Sequence, residues 1–320
     1  MDKVRVAFIG GGGLANSMHY PSLSSMEDVE IVAIAEMNEE RLQTTADKYE
    51  VEGRFTSHLE MLEKAEPDAV YCIMPPMHLW GTVNDCLERG MHVFTEKPPG
   101  MTTTQTSSWA RLAEKKGLLT MCGFNRRHIP CLKQAKKKVE ERGPIIQCMA
   151  TFVKFYKNDF EYYGGAIDIL TCDAVHAVDS LRWLGGEVDR LASDIGRFGT
   201  DYPNSFNTLM KFESGAVGFL VANWAVGGRV HTWEIHAHGI SAYVDPDTTG
   251  AHIHIENKPN EGHLDPVESA GSEERHIVYG FFGESRHFID CIKSGDQPVT
   301  HFGDAVKTME LVERIYNGQI

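Results

Sequence analysis

Short apolar runs alternate with helical patterns through the first 125 residues. "VRVAFIG" (4–10), "VEIVAIAE" (29–36), "DAVYCIM" (68–74), "MHVFTE" (91–96) and "LLTMCGF" (118–124) predict strands. Between them, "NEERLQTTADKY" (38–49), "HLEMLEKA" (58–65), "WGTVNDCLERG" (80–90) and "TTQTSSWARLAEKKG" (103–117) predict helices. Gly90 and Gly117 stand where helix C-caps fall. Continuous apolar strands alternating with helices predict a parallel sheet covered on both faces, the doubly wound α/β arrangement.

After residue 145 the pattern changes. One helical segment, "AIDILTCDAVHAVDSLRWLGG" (166–186), is followed by strands with no helices between them. "NTLMKFESGAVGFLVANWAV" (207–226) turns at "ESG", and "VHTWEIHAHGISAYVD" (230–245) turns at Gly239–Ser241. Helical patterns at 280–295 and 303–318 close the chain. The expectation is a Rossmann domain over 1–124 and an α+β domain over 125–320 with a mainly antiparallel, open sheet. "AVGFLVANWAV" (216–226) puts apolar residues on both faces of a strand. A sheet covered on one face only would expose a patch too large for a monomer, which predicts a homo-oligomer, dimer or tetramer, through that sheet.

Composition narrows the classes. The 320 residues are 42% hydrophobic and 24% charged, the profile of a soluble globular protein. A formal net charge of -14 repels phosphate backbones, which argues against a nucleic-acid partner. Seven cysteines without a CxxC spacing suggest neither a zinc site nor a disulfide framework, and a reducing, cytoplasmic setting fits. The apolar run near the N-terminus is too short for a signal sequence, and no stretch approaches the roughly 18 apolar residues of a membrane span.

"AFIGGGGLANSMH" follows the first strand directly and offers Gly10-x-Gly12-x-x-Ala15 at a strand-to-helix turn. Glycines there permit the tight turn and let backbone N–H groups approach a pyrophosphate, and a small third residue lets the helix pack closely. The helix N-terminus then faces the phosphates. Gly10, Gly12, Gly13, Leu14 and Ala15 are therefore expected to hold a dinucleotide. Glu36 ends the second strand, where an acid would bind the ribose hydroxyls of NAD and repel the 2′-phosphate of NADP. Alone it could equally be a solvated acid.

"HVFTEKPPG" (92–100) closes a strand on Glu96 and Lys97 and then stops regular structure with Pro98, Pro99 and Gly100. Ligands of doubly wound sheets bind outside the carboxyl ends of the strands. Lys97 is thus expected beside the nicotinamide, with Glu96 nearby. Met74, Pro75 and His78 of "IMPPMHLWGT" (73–82), at the end of the preceding strand, would flank it.

"GGGGLA", "PPMH", "TEKP", "GFNRR" (123–127) and "GGAIDILTCDAVHAVDSLRWLGG" (164–186) occur in this order over nearly the whole chain. The chain resembles the glucose–fructose oxidoreductase / inositol dehydrogenase / MocA family. The resemblance implies NAD(P)-dependent redox chemistry at a sugar or cyclitol hydroxyl, with Lys97 catalytic and His176 exchanging the hydroxyl proton. Members often carry an acid four residues before this histidine. Here that position is Cys172; the nearest acid is Asp173, three residues before, and Asp168, eight residues before and two turns away, is a further candidate.

The chemistry fits these residue types. A hydroxyl must lose its proton as its carbon loses hydride, and histidine titrates near operating pH. An ammonium stabilises developing alkoxide charge. Arg126 or Arg127 lining the cleft, and Tyr162 or Tyr163 touching a sugar, complete the candidate substrate contacts. The histidine pairs of "IHAH" (235–238) and "HIHI" (252–255) each share a strand face, but without a third ligand they read as polar faces rather than a metal site. An NAD-dependent glycosidase and a non-catalytic sugar or dinucleotide sensor are the alternative functions on this scaffold. The first would show no net NADH formation, and the second has no need of Lys97 and His176.

Overall fold

The computed structural model describes residues 3–320, the side chain of Asn260 excepted; Met1 and Asp2 of the segment tested above for a leader lie outside the described residues. Two compact units divide the chain. The first holds the residues up to Asn125 together with Arg275–Ile277 and Phe281–Lys307; the second holds Arg126–Glu274, Val278–Gly280 and Thr308–Ile320.

In the first unit, β1 (Val4–Ile9), β2 (Val29–Ala35), β3 (Gly53–Phe55), β4 (Ala69–Cys72), β5 (His92–Glu96) and β6 (Thr120–Gly123) form one parallel sheet in the order β3-β2-β1-β4-β5-β6. The order reverses between β1 and β4, so the chain leaves their carboxyl ends in opposite directions and opens a crevice there. β3 is three residues with an arginine at its centre, too short to show a period in the sequence. Val6, Phe8, Tyr71 and Phe94 face one core layer, and Ala7, Ile9, Val70 and Val93 face the other. The sequence expectation gives residues 281–307 to the second domain; in the structure they pack with the first unit. The helix Phe281–Ser294 has an apolar face, and its Phe288 and Ile289 complete the layer around Tyr71 and Phe94. Thr300 then exchanges hydrogen bonds with Cys122 along the outer edge of β6.

The second unit is built on β7 (Gln147–Phe155), β8 (Val188–Gly196), β9 (Ser205–Phe212), β10 (Val217–Asn223), β11 (Ala225–Ala237), β12 (Ile240–Asp245), β13 (Gly250–Ile255) and β14 (Lys258–Leu264), in the order β14-β13-β12-β11-β7-β10-β9-β8. Every pairing is antiparallel except β7 with β10. The helix Pro130–Glu140 packs on β11 to β13, and the helix Val175–Gly185 packs on β7 and β10. The first of these escaped the sequence analysis although its buried residues Cys131, Leu132, Ala135 and Val139 fall on one helical stripe. The segment predicted as one helix over 166–186 is interrupted. A π-helical turn, Leu170–Ala174, precedes the regular helix, and Asp168 Oδ1 accepts the N–H of Thr171 at its start. One row across the sheet runs Leu209, Phe219, Met149, Glu234, Tyr243 and His252. Leu209 and Tyr243 of that row are exposed, whereas Leu220, Ala150, Trp233 and Val244 of the neighbouring row are buried. All seven cysteines are buried thiols. Among the described residues no helix is long and apolar enough to cross a membrane.

Candidate active site

The glycine turn of the first unit is shaped by its own backbone. Gly10 follows β1 with φ +113°, and a Cβ there would lie 2.2 Å from the carbonyl oxygen of Ile73, so only glycine fits. Its N–H donates to Ala35 O, and Asn16 Nδ2 closes the turn on Gly11 O at 2.8 Å. Gly12 and Gly13 differ: a Cβ at either would meet nothing within 4 Å. Their bareness is not demanded by neighbouring protein atoms, and it leaves the backbone open to a ligand at the start of the helix. Leu14 is exposed there, and Ala15 is buried.

A cavity of about 450 Å³ lies along this turn. Of the residues picked out in the sequence, Gly10, Gly12, Glu36, Met74, Pro75 and His78 line it. Thr56 and His58 also line it and were missed; nothing in the sequence marks them apart from ordinary residues at a helix start. Glu36 is held by two backbone donors, Gly11 N–H on Oε2 at 3.0 Å and Asn38 N–H on Oε1 at 2.9 Å. Each carboxylate oxygen keeps a lone pair for a further donor. Arg41 Nη1 stands 3.6 Å from Oε2. These residues fit a dinucleotide: bare backbone at a helix N-terminus for the pyrophosphate and a fixed carboxylate for the ribose.

Glu96, at the end of β5, is buried. Its Oε1 accepts from His19 Nε2 at 2.8 Å, and its Oε2 accepts from the Lys97 backbone N–H at 3.1 Å. It therefore turns inward rather than toward a cofactor, and it acts on the lysine beside it. Lys97 is partly exposed where the strand ends.

In the second unit, Asp173 sits in the π-helical turn and is engaged by Lys154 Nζ and by Tyr162 OH, the latter at 2.7 Å. Trp224 Nε1 donates to the same phenol at 3.1 Å. Lys154 Nζ lies 5.1 Å from the Trp224 ring and 5.4 Å from the Tyr162 ring, a cation over aromatic faces. Burial, and then the Asp173 charge, push the Tyr162 phenol up. This Lys154–Asp173–Tyr162–Trp224 cluster escaped the sequence analysis in part. Lys154 follows Phe152 at inward parity on β7, which was its one available signal. His176 is buried in the next helical turn.

Other candidates have different placements. Arg127 forms a bidentate pair with Asp179, at 2.8 and 2.6 Å, both residues buried, and Thr308 Oγ1 donates to the same carboxylate at 3.0 Å. Its fork is directed at the buried Asp179 in the second unit's interior rather than at the expected substrate. Arg126 lies 4.7 Å over the Tyr279 ring. Tyr163 is half exposed and left-handed, with φ 55°. Asp168 accepts from Tyr316 OH at 2.7 Å, a tie between distant segments. His236 bonds Ser241 Oγ at 2.8 Å, and His252 and His254 lie against His263 and Tyr243. His231 stacks on Phe152, with centroids 4.0 Å apart. Burial, and then Arg126 and Arg229, hold its imidazole well below the usual histidine range.

Two family models match the chain: an oxidoreductase family with an NAD-binding Rossmann fold over residues 4–124, and the GFO/IDH/MocA C-terminal domain over 138–241. Among named proteins, scyllo-inositol 2-dehydrogenase (NAD(+)) of Bacillus subtilis is 24% identical over 327 residues, covering 97% of this chain and 92% of that one. A dehydrogenase from Chromobacterium violaceum has the same fold, with TM-score 0.88 at 19% identity over 100% of this chain and 96% of the other. So does levoglucosan dehydrogenase in complex with NADH and levoglucosan, with TM-score 0.87 at 20% identity over 99% and 97%.

Proposed function

This chain belongs to the glucose–fructose oxidoreductase / inositol dehydrogenase / MocA family, and from that premise we propose that it is an NAD-dependent dehydrogenase acting on a CH–OH group of a sugar or cyclitol. The observation that carries the cofactor half is the pairing of a bare glycine turn with Glu36, whose carboxylate two backbone N–H groups fix at the same cavity. Its remaining lone pairs accept ribose hydroxyls, and its charge repels a 2′-phosphate, which favours NAD over NADP. Arg41 beside it softens that preference.

The nicotinamide, when bound, supplies the hydride acceptor. The protein supplies position and charge. Lys97 steadies the substrate oxygen as it becomes an alkoxide. His176 takes the hydroxyl proton, and Asp173 orients it. Asp173 is itself fixed by Lys154 and Tyr162, so its orientation survives solvent fluctuation. Arg126 and Tyr163 contact the rest of the substrate. Two copies associate through the outer sheet row that exposes Leu209 and Tyr243.

A panel of hexoses, pentoses, inositols and anhydrosugars assayed with NAD and NADP tests the activity. Net NADH formation with one member of the panel is the expected result. Its absence throughout, with NADH still bound, would count against a dehydrogenase. Tighter binding of NADP than of NAD would overturn the cofactor assignment, and a monomeric mass by light scattering at micromolar concentration would overturn the association.

A further inference from the structure

His19 is fully buried, and it is not a cofactor ligand in any reading of the glycine motif. It closes the turn Ala15–His19 that begins where the glycine loop ends. Its ring is walled by Phe94, Phe281 and Tyr71, edge-on, with centroids 5.5, 5.4 and 6.2 Å away. Within that aromatic cage Nδ1 has no hydrogen-bond partner, while Nε2 bonds Glu96 Oε1 at 2.8 Å. A phenylalanine would fill the same space without burying a bare polar nitrogen. What the histidine adds is therefore the Nε2 bond. The other oxygen of Glu96 takes the Lys97 N–H. Gly123, on β6, leaves room for this carboxylate: a Cβ there would come within 3.3 Å of Oε1. Glu284, also buried, brings a second carboxylate within 4.8 Å of the pair.

These contacts form one line. The pyrophosphate turn leads into the helical turn that carries His19. His19 fixes Glu96, and Glu96 fixes the backbone of Lys97. We propose that His19 is a positioning residue, which sets Lys97 through Glu96 and ties the lysine's placement to the phosphate-binding turn. This rests on Lys97 being catalytic, as argued above, and reaches beyond it by assigning the means of its alignment. Rigid placement matters because a displacement of about 1 Å in a reacting group costs about 10²-fold in rate.

The test reads Lys97 directly. Lysines of the full-length protein are reductively methylated with ¹³C, and the Lys97 resonance is assigned by its loss in Lys97→Arg. In His19→Phe, which keeps a ring in the cage, the Lys97 resonance should move in the absence of any ligand. Its further shift on adding NADH should shrink, while NADH affinity by fluorescence stays within about threefold, because the glycine turn is untouched. His19→Gln places an amide nitrogen where Nε2 was and should restore both signals. If His19→Phe does not fold, Glu96→Gln reads the same link, since its amide cannot accept from both His19 and Lys97. A Lys97 resonance unchanged in His19→Phe, or unchanged in Glu96→Gln, overturns the proposal. Failure of NADH to shift Lys97 in the wild type would instead tell against Lys97 at the cofactor, and the ligand-free comparison would still decide the role of His19.

Discussion

The two units prepare for ligands in different ways. In the first, the candidate site is made of backbone: Gly10 leaves room for Ile73, Gly12 and Gly13 stand bare, and even the one acid, Glu36, is held by main-chain donors. In the second it is made of side chains brought from separate elements: Lys154 from β7, Asp173 from the π-helical turn, Tyr162 from the short helical turn Tyr162–Gly165 and Trp224 from the join of β10 and β11. A cofactor that is the same for many enzymes suits a backbone cradle, whose geometry one short segment encodes. A substrate that differs from enzyme to enzyme suits side chains, which change one at a time on a constant sheet.

The sharpest way to break this comparison is through the proposed chemistry. His176→Ala removes the proton acceptor and should lower turnover by about 10²–10⁴-fold. Lys97→Ala should do likewise, with NAD binding nearly intact because the backbone cradle remains. The double variant should fall far short of additive if both act on one hydroxyl. Near wild-type turnover in His176→Ala at neutral pH would remove it from the mechanism.

Next come the supports. Arg127→Leu strands the buried Asp179 carboxylate, and removing one member of a buried pair costs about 3–5 kcal/mol. Urea unfolding should show that loss. A change under about 1 kcal/mol would mean that Asp179 finds other partners. In the first unit the corresponding experiment separates two glycines. Gly10→Ala forces a Cβ against the Ile73 carbonyl at a positive φ, a backbone cost of about 1–3 kcal/mol before the clash is counted. Gly12→Ala meets no protein atom, so it should leave stability unchanged and weaken NADH binding. Equal effects of the two on stability would deny that Gly12 is bare for a ligand.

The difference between the units also decides what could be read from the sequence. The glycine turn, Glu36, Pro75 and His78 were legible because consecutive or regularly spaced residues make that cavity. The sheet was legible from apolar runs, except β3, which is too short to carry a period. The side-chain cluster was legible only in part: Tyr162 and Asp173 stood out, but Lys154 and Trp224, about 70 positions apart, join them only in the fold. Arg127 misled for a related reason: an arginine in a turn carries the same letter whether its fork meets a substrate or a buried aspartate 52 residues away. Residues 281–307 were assigned by sequence order, while their packing follows the apolar face that Phe288 and Ile289 present to the first unit.

The smallest expected effect concerns His231, a buried imidazole of the second unit. His231 is buried with both ring nitrogens lacking a partner, stacked on Phe152 and facing Arg126, Arg229, Lys154 and Asp173. Burial and the two arginines lower its pKa from the ordinary 6.5, against the weaker pull of Asp173. The folded protein thus resists a proton that the unfolded chain accepts. Stability from this group is complete above about pH 6.5 and declines as pH falls, by up to about 1.4 kcal/mol per pH unit until the folded-state pKa is reached. His231→Phe keeps the stack and removes the titration. Its urea midpoint should match or exceed the wild type at pH 7.5, and the gap in its favour should widen down to pH 5. Curves that stay parallel over that range would mean the folded and unfolded chains take up this proton equally, and a gap that moves toward the wild type as pH falls would mean that Asp173 holds the imidazole charged more strongly than burial and the arginines oppose it.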